Sequence, residues 1–451
     1  MTRPEVTVGI DIGTSSVKAI AADADGRVVS FARVPHEVRV PSPLRFEHDA
    51  DAAWRRGPRA ALGAVSAEVD VLGVSVAAMV PSLTAVDADG IPVVPGLLYG
   101  DERGRAAESE ATGIESGELL GFLRWCAHEV PEAAGFWPAQ ATANHALSGE
   151  AVLDTSTAAT AHPLFDWTGW DAEIAAGFGA RPEQLPRLAP TGWEAARVDG
   201  DGPPLAAGSV DALADQIVAG ADDEGDVLLL LGTTLIVWVV SAREASVPGF
   251  WTIPHTTPGM SLVGGPSNAG GLFCNWVAGW VGEPAGPAEP ARVPVWAPYP
   301  RGERTPFRDP MRRGELLDLD LTHDAAAVRR AAFEASGFVV RRVLETVREH
   351  AGVTPRRLVA TGGGVRVDDW VQAVADATRV PVDCVAVPEG GALGSAWFAR
   401  MAAGLEEPTA TADARRWART GRTVEADPAW VAAVEDRYAR FLEVAGPRQA
   451  R

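Results

Sequence analysis

Two short segments hold the residue types best suited to chemistry. Near the N-terminus, Asp11-Ile12-Gly13-Thr14-Ser15-Ser16-Val17-Lys18 puts a carboxylate, a glycine, a run of hydroxyls and an ammonium close together. In the second half, Gly232-Thr233-Thr234 repeats the Gly-Thr pair inside the apolar stretch VLLLLGTTLIVWVV, residues 227–240. Taken alone, a Gly-Thr pair between apolar runs reads as a tight hairpin. Glycine also lets backbone N–H groups and hydroxyls approach a phosphate closely, so two such turns at the heads of two lobes can grip a triphosphate from opposite sides. A carboxylate at Asp11 suits the water shell of Mg²⁺, which takes one or two carboxylates together with phosphate oxygens; alone it also reads as a turn aspartate. Lys18 is the only lysine in the chain. Every other basic residue apart from histidine is arginine, which points to a compositional bias that this one position escapes. A compact ammonium here suits the β- or γ-phosphate oxygens.

The elements that must position these groups follow from the pattern. Glu5–Gly13 reads as a buried strand, and the chain then continues apolar to a turn at Asp25-Gly26 and resumes at Val28, which is a β-hairpin signal. The same strand, Gly-Thr turn and strand recur at 227–240, so the chain divides into two lobes of similar construction, 1–224 and 225–451, with ADDEG at 221–225 as a hinge. Residues 107–134 read as mostly helical, 210–220 as a helix with Asp211 in its first turn, and 325–350 as a long helix. The segment ATGGGVRVDDWVQAVAD places Gly362, Gly363 and Gly364 between a strand and a helix, and EGGALGSA opens another helix at Gly390 and Gly391. Glycines there permit close approach of a flat or anionic group; they also serve simple tight connections. Neither segment matches the dinucleotide fingerprint or a P-loop.

Length and charge bound the rest. At 451 residues the chain exceeds one ordinary core, and 47% hydrophobic content allows two. A net charge of −20 argues against nucleic acid and anionic membranes as partners. No apolar run reaches the length of a membrane span, and Cys126, Cys274 and Cys384 form neither a disulfide framework nor a zinc spacing. A soluble, cytoplasmic protein is expected, with a homodimer left open.

In this order the motifs resemble the FGGY carbohydrate kinases, within the superfamily of sugar kinases, heat-shock chaperone ATPases and actin. GIDIGTSSVKA is similar to the first phosphate motif, LGTTLIVWV to the second, VATGGGVRVDDWVQAVADAT to the adenosine motif and PEGGALGSAWFA to the second connecting helix. LLYGDERG, GSVDALAD, GGPSNAGG and the GERTP segment at 302–306 match further landmarks. The resemblance implies an α/β fold of two ribonuclease H-like lobes with a cleft between them, and ATP-dependent phosphorylation of a sugar or polyol hydroxyl with Mg²⁺. It gives Asp211 the role of general base. ATP would meet Asp11, Gly13, Thr14, Ser15, Lys18, Gly232, Thr233, Thr234, Gly362, Gly363, Gly364, Gly390 and Gly391, with Asp11 reaching the metal through water. Met79, Asp101 and Arg103 would lie on the sugar side.

The closest kind implied is xylulokinase-like, with a ketopentose such as xylulose as acceptor. Two departures bear on that choice. Many relatives carry Gln-Met-His-Gly or Asn-Gln-Arg-Glu where this chain has SVAAMVPSL, residues 75–83, and Ala212 follows Asp211 where Asn or Gln is common. Glycerol, gluconate, ribulose and fuculose kinases therefore remain alternatives, as do a nucleotide-binding regulator and a chaperone-like ATPase. Asp101 and Arg103, by type and spacing alone, read as a surface ion pair. GERTP reads as structural support.

Overall fold

A computed structural model describes residues 3–105, 117–309 and 311–445. The helix expected over 107–134 is found over Gly117–Glu129, and the part of that expectation before residue 117 lies outside the described residues. The chain forms two compact units, 1–218 with 390–417, and 219–389 with 418–451.

In the first unit, β1 (Glu5–Ile12), β2 (Ser16–Ala22) and β3 (Val28–Pro35) form an antiparallel meander. Strand β1 is buried at every position after Glu5, as a central strand covered on both faces must be. Asp25-Gly26 makes the expected turn, with Gly26 at φ 74°. On its other edge β1 pairs in parallel with β4 (Asp70–Ala78), and β4 in turn pairs in parallel with the short β5 (Ser209–Val210). Helix α1 (Asp211–Ala219) starts directly from β5.

The second unit repeats the plan. Strands β6 (Asp226–Leu231), β7 (Leu235–Ser241) and β8 (Ser261–Ser267) run antiparallel, and β6 pairs in parallel with β9 (Arg357–Thr361), which pairs in parallel with β10 (Val382–Val385). Its helices α2 (Gly271–Val281), α3 (Ala325–Ala351) and α4 (Asp368–Thr378) pack Phe273, Phe338 and Val371 into one core with the strands. The recurrence of one strand–turn–strand device, visible in the sequence, is thus a recurrence of a whole sheet topology.

A single division at residue 224 does not describe the structure. Helix α5 (Gly390–Ala402) lies beyond that point but packs on β1 and β4 of the first unit. Small residues decide this. A Cβ on Gly9 would stand 1.9 Å from the Ala392 carbonyl oxygen, and a Cβ on Gly394 would stand 1.9 Å from that of Ala214 in α1. Such backbone-to-backbone approach is open only to glycine.

Candidate active site

The carboxyl ends of β1, β4 and β5 converge. Register places Asp11 and Ile12 opposite Ala77 and Ala78, and Val210 opposite the same Ala78. Asp11, Met79 and Asp211 therefore stand at one end of the sheet, on β1 and directly after β4 and β5. The Met79 N–H donates to the Ile12 carbonyl at 3.2 Å, and its side chain is buried in the first unit's core.

Across the hairpin Asp11 faces Lys18, whose Nζ lies 3.3 Å from Asp11 Oδ2. The lysine shares its face with Ser16, as the two-residue period of a strand requires, and Ser16 Oγ accepts from Arg33 Nε at 3.1 Å. Asp211 is half-buried at the head of α1, with Oδ1 accepting from the Ala212 N–H at 2.7 Å. Its carboxyl is pushed up to about 7, chiefly by removal from water and then by the negative charge of Asp11; the Ala212 N–H and the Lys18 ammonium oppose this. Two aspartates and one lysine thus form a coupled set, one of whose carboxyls holds or releases a proton near neutrality. A group of that kind is suited to general base work.

The two glycine turns are built alike within their own units. In the first, Gly13 N–H donates to the Ser16 carbonyl at 3.1 Å, and in the second, Gly232 N–H donates to the Thr234 carbonyl at 3.2 Å. The second turn is held from behind by the start of α2, where the Gly271 and Leu272 N–H groups donate to the carbonyls of Gly232 and Thr233 at 2.8 and 3.1 Å. Its Thr234 hydroxyl accepts from Arg304 Nη2 at 3.2 Å. That arginine belongs to GERTP, so the segment supports the second glycine turn directly. Neighbouring Glu303 is buried and accepts from Ser267 Oγ and from the Asn268 and Arg304 N–H groups, fixing the loop into α2. Burial pushes the Glu303 carboxyl up to about 7 against those three donors.

The three consecutive glycines have separate reasons. Gly362 adopts φ 86°, the left-handed region where a side chain is strained, and a Cβ on Gly364 would strike the Trp370 ring at 2.5 Å. Only at Gly363 is the space where a Cβ would go open. Gly390 and Gly391 belong to the first unit, not to the second as a division at 224 implies. There a Cβ on Gly391 would come within 3.0 Å of Asp11 Cγ, so this glycine makes room for the Asp11 carboxylate.

Asp101 and Arg103 are buried, which corrects the reading of a surface ion pair. Asp101 accepts from Arg103 Nε and Nη2 at 2.8 and 2.7 Å and from the Phe46 N–H at 2.7 Å, while Arg103 also reaches Glu47 at 2.9 Å and lies over Trp125. Such a bidentate, buried pair braces the segment that carries Tyr99, whose hydroxyl meets Thr14 Oγ1 at 2.8 Å. Sequence reasoning missed Tyr99, His48, Trp54 and Arg304. Tyr99, His48 and Arg304 lie far along the chain from the turns that they touch, Trp54 reaches the first turn only through His48, and no spacing rule links them.

Comparison with known proteins places the chain in a family. Residues 6–202 match the N-terminal domain, and residues 227–403 the C-terminal domain, of the FGGY family of carbohydrate kinases. The chain belongs to that family. The kinase is 29% identical to the xylulose kinase of Escherichia coli over 89% of this chain and 90% of that protein. It is 23% identical to the gluconokinase of Bacillus subtilis, over 82% of each. Among solved structures it resembles the xylulose kinase of Rhodospirillum rubrum with TM-score 0.76 and 25% identity, covering 97% of this chain and 98% of the other. It is an ATP-dependent sugar kinase built on two actin-like ATPase lobes. Among the described residues no helix is long and apolar enough to cross a membrane.

Proposed function

We propose that the kinase transfers the γ-phosphoryl group of ATP to a hydroxyl of a ketopentose such as xylulose, with Asp211 as general base. The observation that carries the reading is Asp211 itself: half-buried, pushed up to about 7, and set beside Asp11 and Lys18 at the carboxyl end of the sheet. In this reading the ionised Asp211 carboxylate accepts the proton of the acceptor hydroxyl as its oxygen attacks phosphorus. The N–H groups and hydroxyls of Gly13, Thr14 and Ser15 hold phosphate oxygens, and Gly232, Thr233 and Thr234 do the same from the second unit's turn. Gly363 offers the open backbone against which the nucleoside lies.

Lys18 adds positive charge at the first turn while holding Asp11 in place. The donor chemistry suits Mg²⁺: a carboxylate at Asp11, with phosphate oxygens and water completing the shell. When bound, the ion would neutralise phosphate charge. Phosphoryl transfer depends mainly on such positioning and charge.

The acceptor assignment is supported by similarity to a xylulose kinase along most of the chain. ADP release measured across a panel of xylulose, ribulose, fuculose, gluconate and glycerol tests it. Xylulose should give the highest kcat/KM. A higher value for gluconate would move the assignment, and the apolar Ala78-Met79-Val80-Pro81 next to Asp211 is the feature that would carry such a change. No stimulation by any acceptor, with ATP binding intact, would remove the kinase mechanism and leave a nucleotide-binding regulator.

Lys18 supplies a sharper test. Lys18→Ala should weaken ATP about 10-fold, the effect of losing one charge-assisted contact, and should move the acid limb of the pH–rate profile upward, because the ammonium lowers the Asp211 carboxyl. Lys18→Arg keeps the charge and should be milder on both counts. Unchanged ATP affinity and an unchanged limb in both variants would make the lone lysine a compositional accident.

A further inference from the structure

Among the described residues no helix-start N–H donates to the carbonyls of the first glycine turn. Its carbonyls are held instead by an aromatic and imidazole relay. The indole N–H of Trp54 donates to His48 Nδ1 at 3.0 Å, and His48 Nε2 lies 2.8 Å from the Thr14 carbonyl oxygen. An indole nitrogen is a donor only, so His48 Nδ1 must accept and carries no proton. The proton of the neutral ring is therefore on Nε2, which donates to Thr14. His48 is wholly buried, and burial pushes its imidazole down to about 4, with the neighbouring His36 adding to the effect and the Thr14 carbonyl opposing it. The ring is neutral through the range in which a kinase would be assayed. His36 packs its ring edge-on against His48 at 4.5 Å, and its backbone N–H donates to the Ser15 carbonyl at 3.1 Å.

A planar trans peptide turns this into a statement about donors. The Thr14 C=O and the Ser15 N–H belong to one rigid unit and point in opposite directions. Fixing the carbonyl toward His48 fixes the Ser15 N–H away from it. Ser15 is exposed, and among the described residues its N–H donates to no protein acceptor. In the second turn the same task falls to the backbone of α2, through Gly271 and Leu272.

We propose that His48, oriented by Trp54, is the positioning residue of the first phosphate turn: it holds the Thr14 peptide so that the Ser15 N–H is presented to a phosphate of the nucleotide. The inference rests on the reading of that turn as a phosphate site. His48 touches no reacting atom and acts through the peptide alone.

Three variants of the full chain test it: His48→Ala, His48→Gln and Trp54→Phe. Affinity for a non-hydrolysable ATP analogue, which needs no acceptor, is measured by calorimetry, alongside melting and the ¹⁵N resonances of the His48 ring. His48→Ala should weaken the analogue about 10-fold, the effect of misaligning one donor to a charged group. His48→Gln places an amide N–H near the former Nε2 and should stay within about 3-fold of the parent. Trp54→Phe should fall between, with the His48 ring no longer locked as the Nε2–H tautomer. Should His48→Ala fail to fold, the other two decide.

Parent affinity in His48→Ala, or an Nδ1–H tautomer in the parent protein, would overturn the proposal. So would His48→Gln binding about 10-fold more weakly while melting like the parent, since a neutral donor would then not suffice. Parent affinity and a locked Nε2–H tautomer in Trp54→Phe would overturn the part assigned to Trp54. A parent protein that binds the analogue but phosphorylates no acceptor would defeat the kinase mechanism and leave these affinity comparisons standing.

Discussion

Asp211→Asn should lower turnover about 10³-fold, within the range that one positioned general base contributes, while leaving ATP affinity within a few-fold. The asparagine keeps the shape and can still accept from the Ala212 N–H, but it cannot take a proton. The same substitution should make the protein more stable at alkaline pH. A carboxyl whose folded value is about 7, against an ordinary 3.8, binds its proton more tightly in the folded state than in the unfolded one. As pH rises from about 4 through 7, the folded state is progressively penalised for ionising it. A neutral asparagine escapes the penalty, so its advantage is absent near pH 4 and full above pH 7. Its size is on the order of 2 kcal/mol, after allowing for solvent at a half-buried site. Melting at pH 5 and pH 8, set beside initial rates, checks both halves. Undiminished turnover would remove Asp211 from the mechanism, and equal melting at pH 8 would show that its charged form is not disfavoured.

Asp11→Asn should lower kcat/KM about 10²-fold and demand more Mg²⁺ for half-maximal rate, if this carboxylate helps to hold the ion. It carries a second signature with a definite sign. The negative charge of Asp11 raises the Asp211 carboxyl, and removing it lets that carboxyl fall. The Lys18 ammonium, no longer shared with Asp11, then favours the Asp211 anion more strongly. Both effects move the acid limb of the pH–rate profile below its parent position near 7, even as the rate itself declines. This direction is opposite to that expected for Lys18→Ala. A limb that stays put in Asp11→Asn would show that the two aspartates do not sense one another, and a rate insensitive to Mg²⁺ would remove the metal role.

Much of the frame was legible in the sequence because it rests on local signals. The buried run of β1, the Asp25-Gly26 turn and the Gly-Thr pair at 232–233 are each specified by neighbours along the chain, and their recurrence exposed two similar units. The place of Asp211 in the first turn of a helix was also legible, since an acidic residue followed by an apolar period is a local pattern. The order of motifs carried the family.

What the sequence did not reveal is non-local. Helix α5 returns to the first unit because Gly9 and Gly394 let backbones meet, and nothing near residue 390 says which sheet it will reach. Asp101 and Arg103 are buried rather than exposed because Phe46 and Glu47 arrive from another segment. Nothing near Gly391 in the chain announces that its missing side chain clears space for Asp11, 380 residues away.

The residue types therefore determined which chemistry was available: carboxylates at Asp11 and Asp211, a single ammonium at Lys18, and two turns open to phosphate. Tertiary structure alone decided how those groups act. It withdrew Asp211 from water and set it within electrostatic reach of Asp11, which together move a proton-binding site from the acid range to neutrality against the pull of Lys18. It also carried His48 and Trp54 to the back of the first turn. The physical reason is that charge coupling and hydrogen-bond direction depend on distance in space, and distance between remote segments is fixed only when the sheet closes and the cores pack.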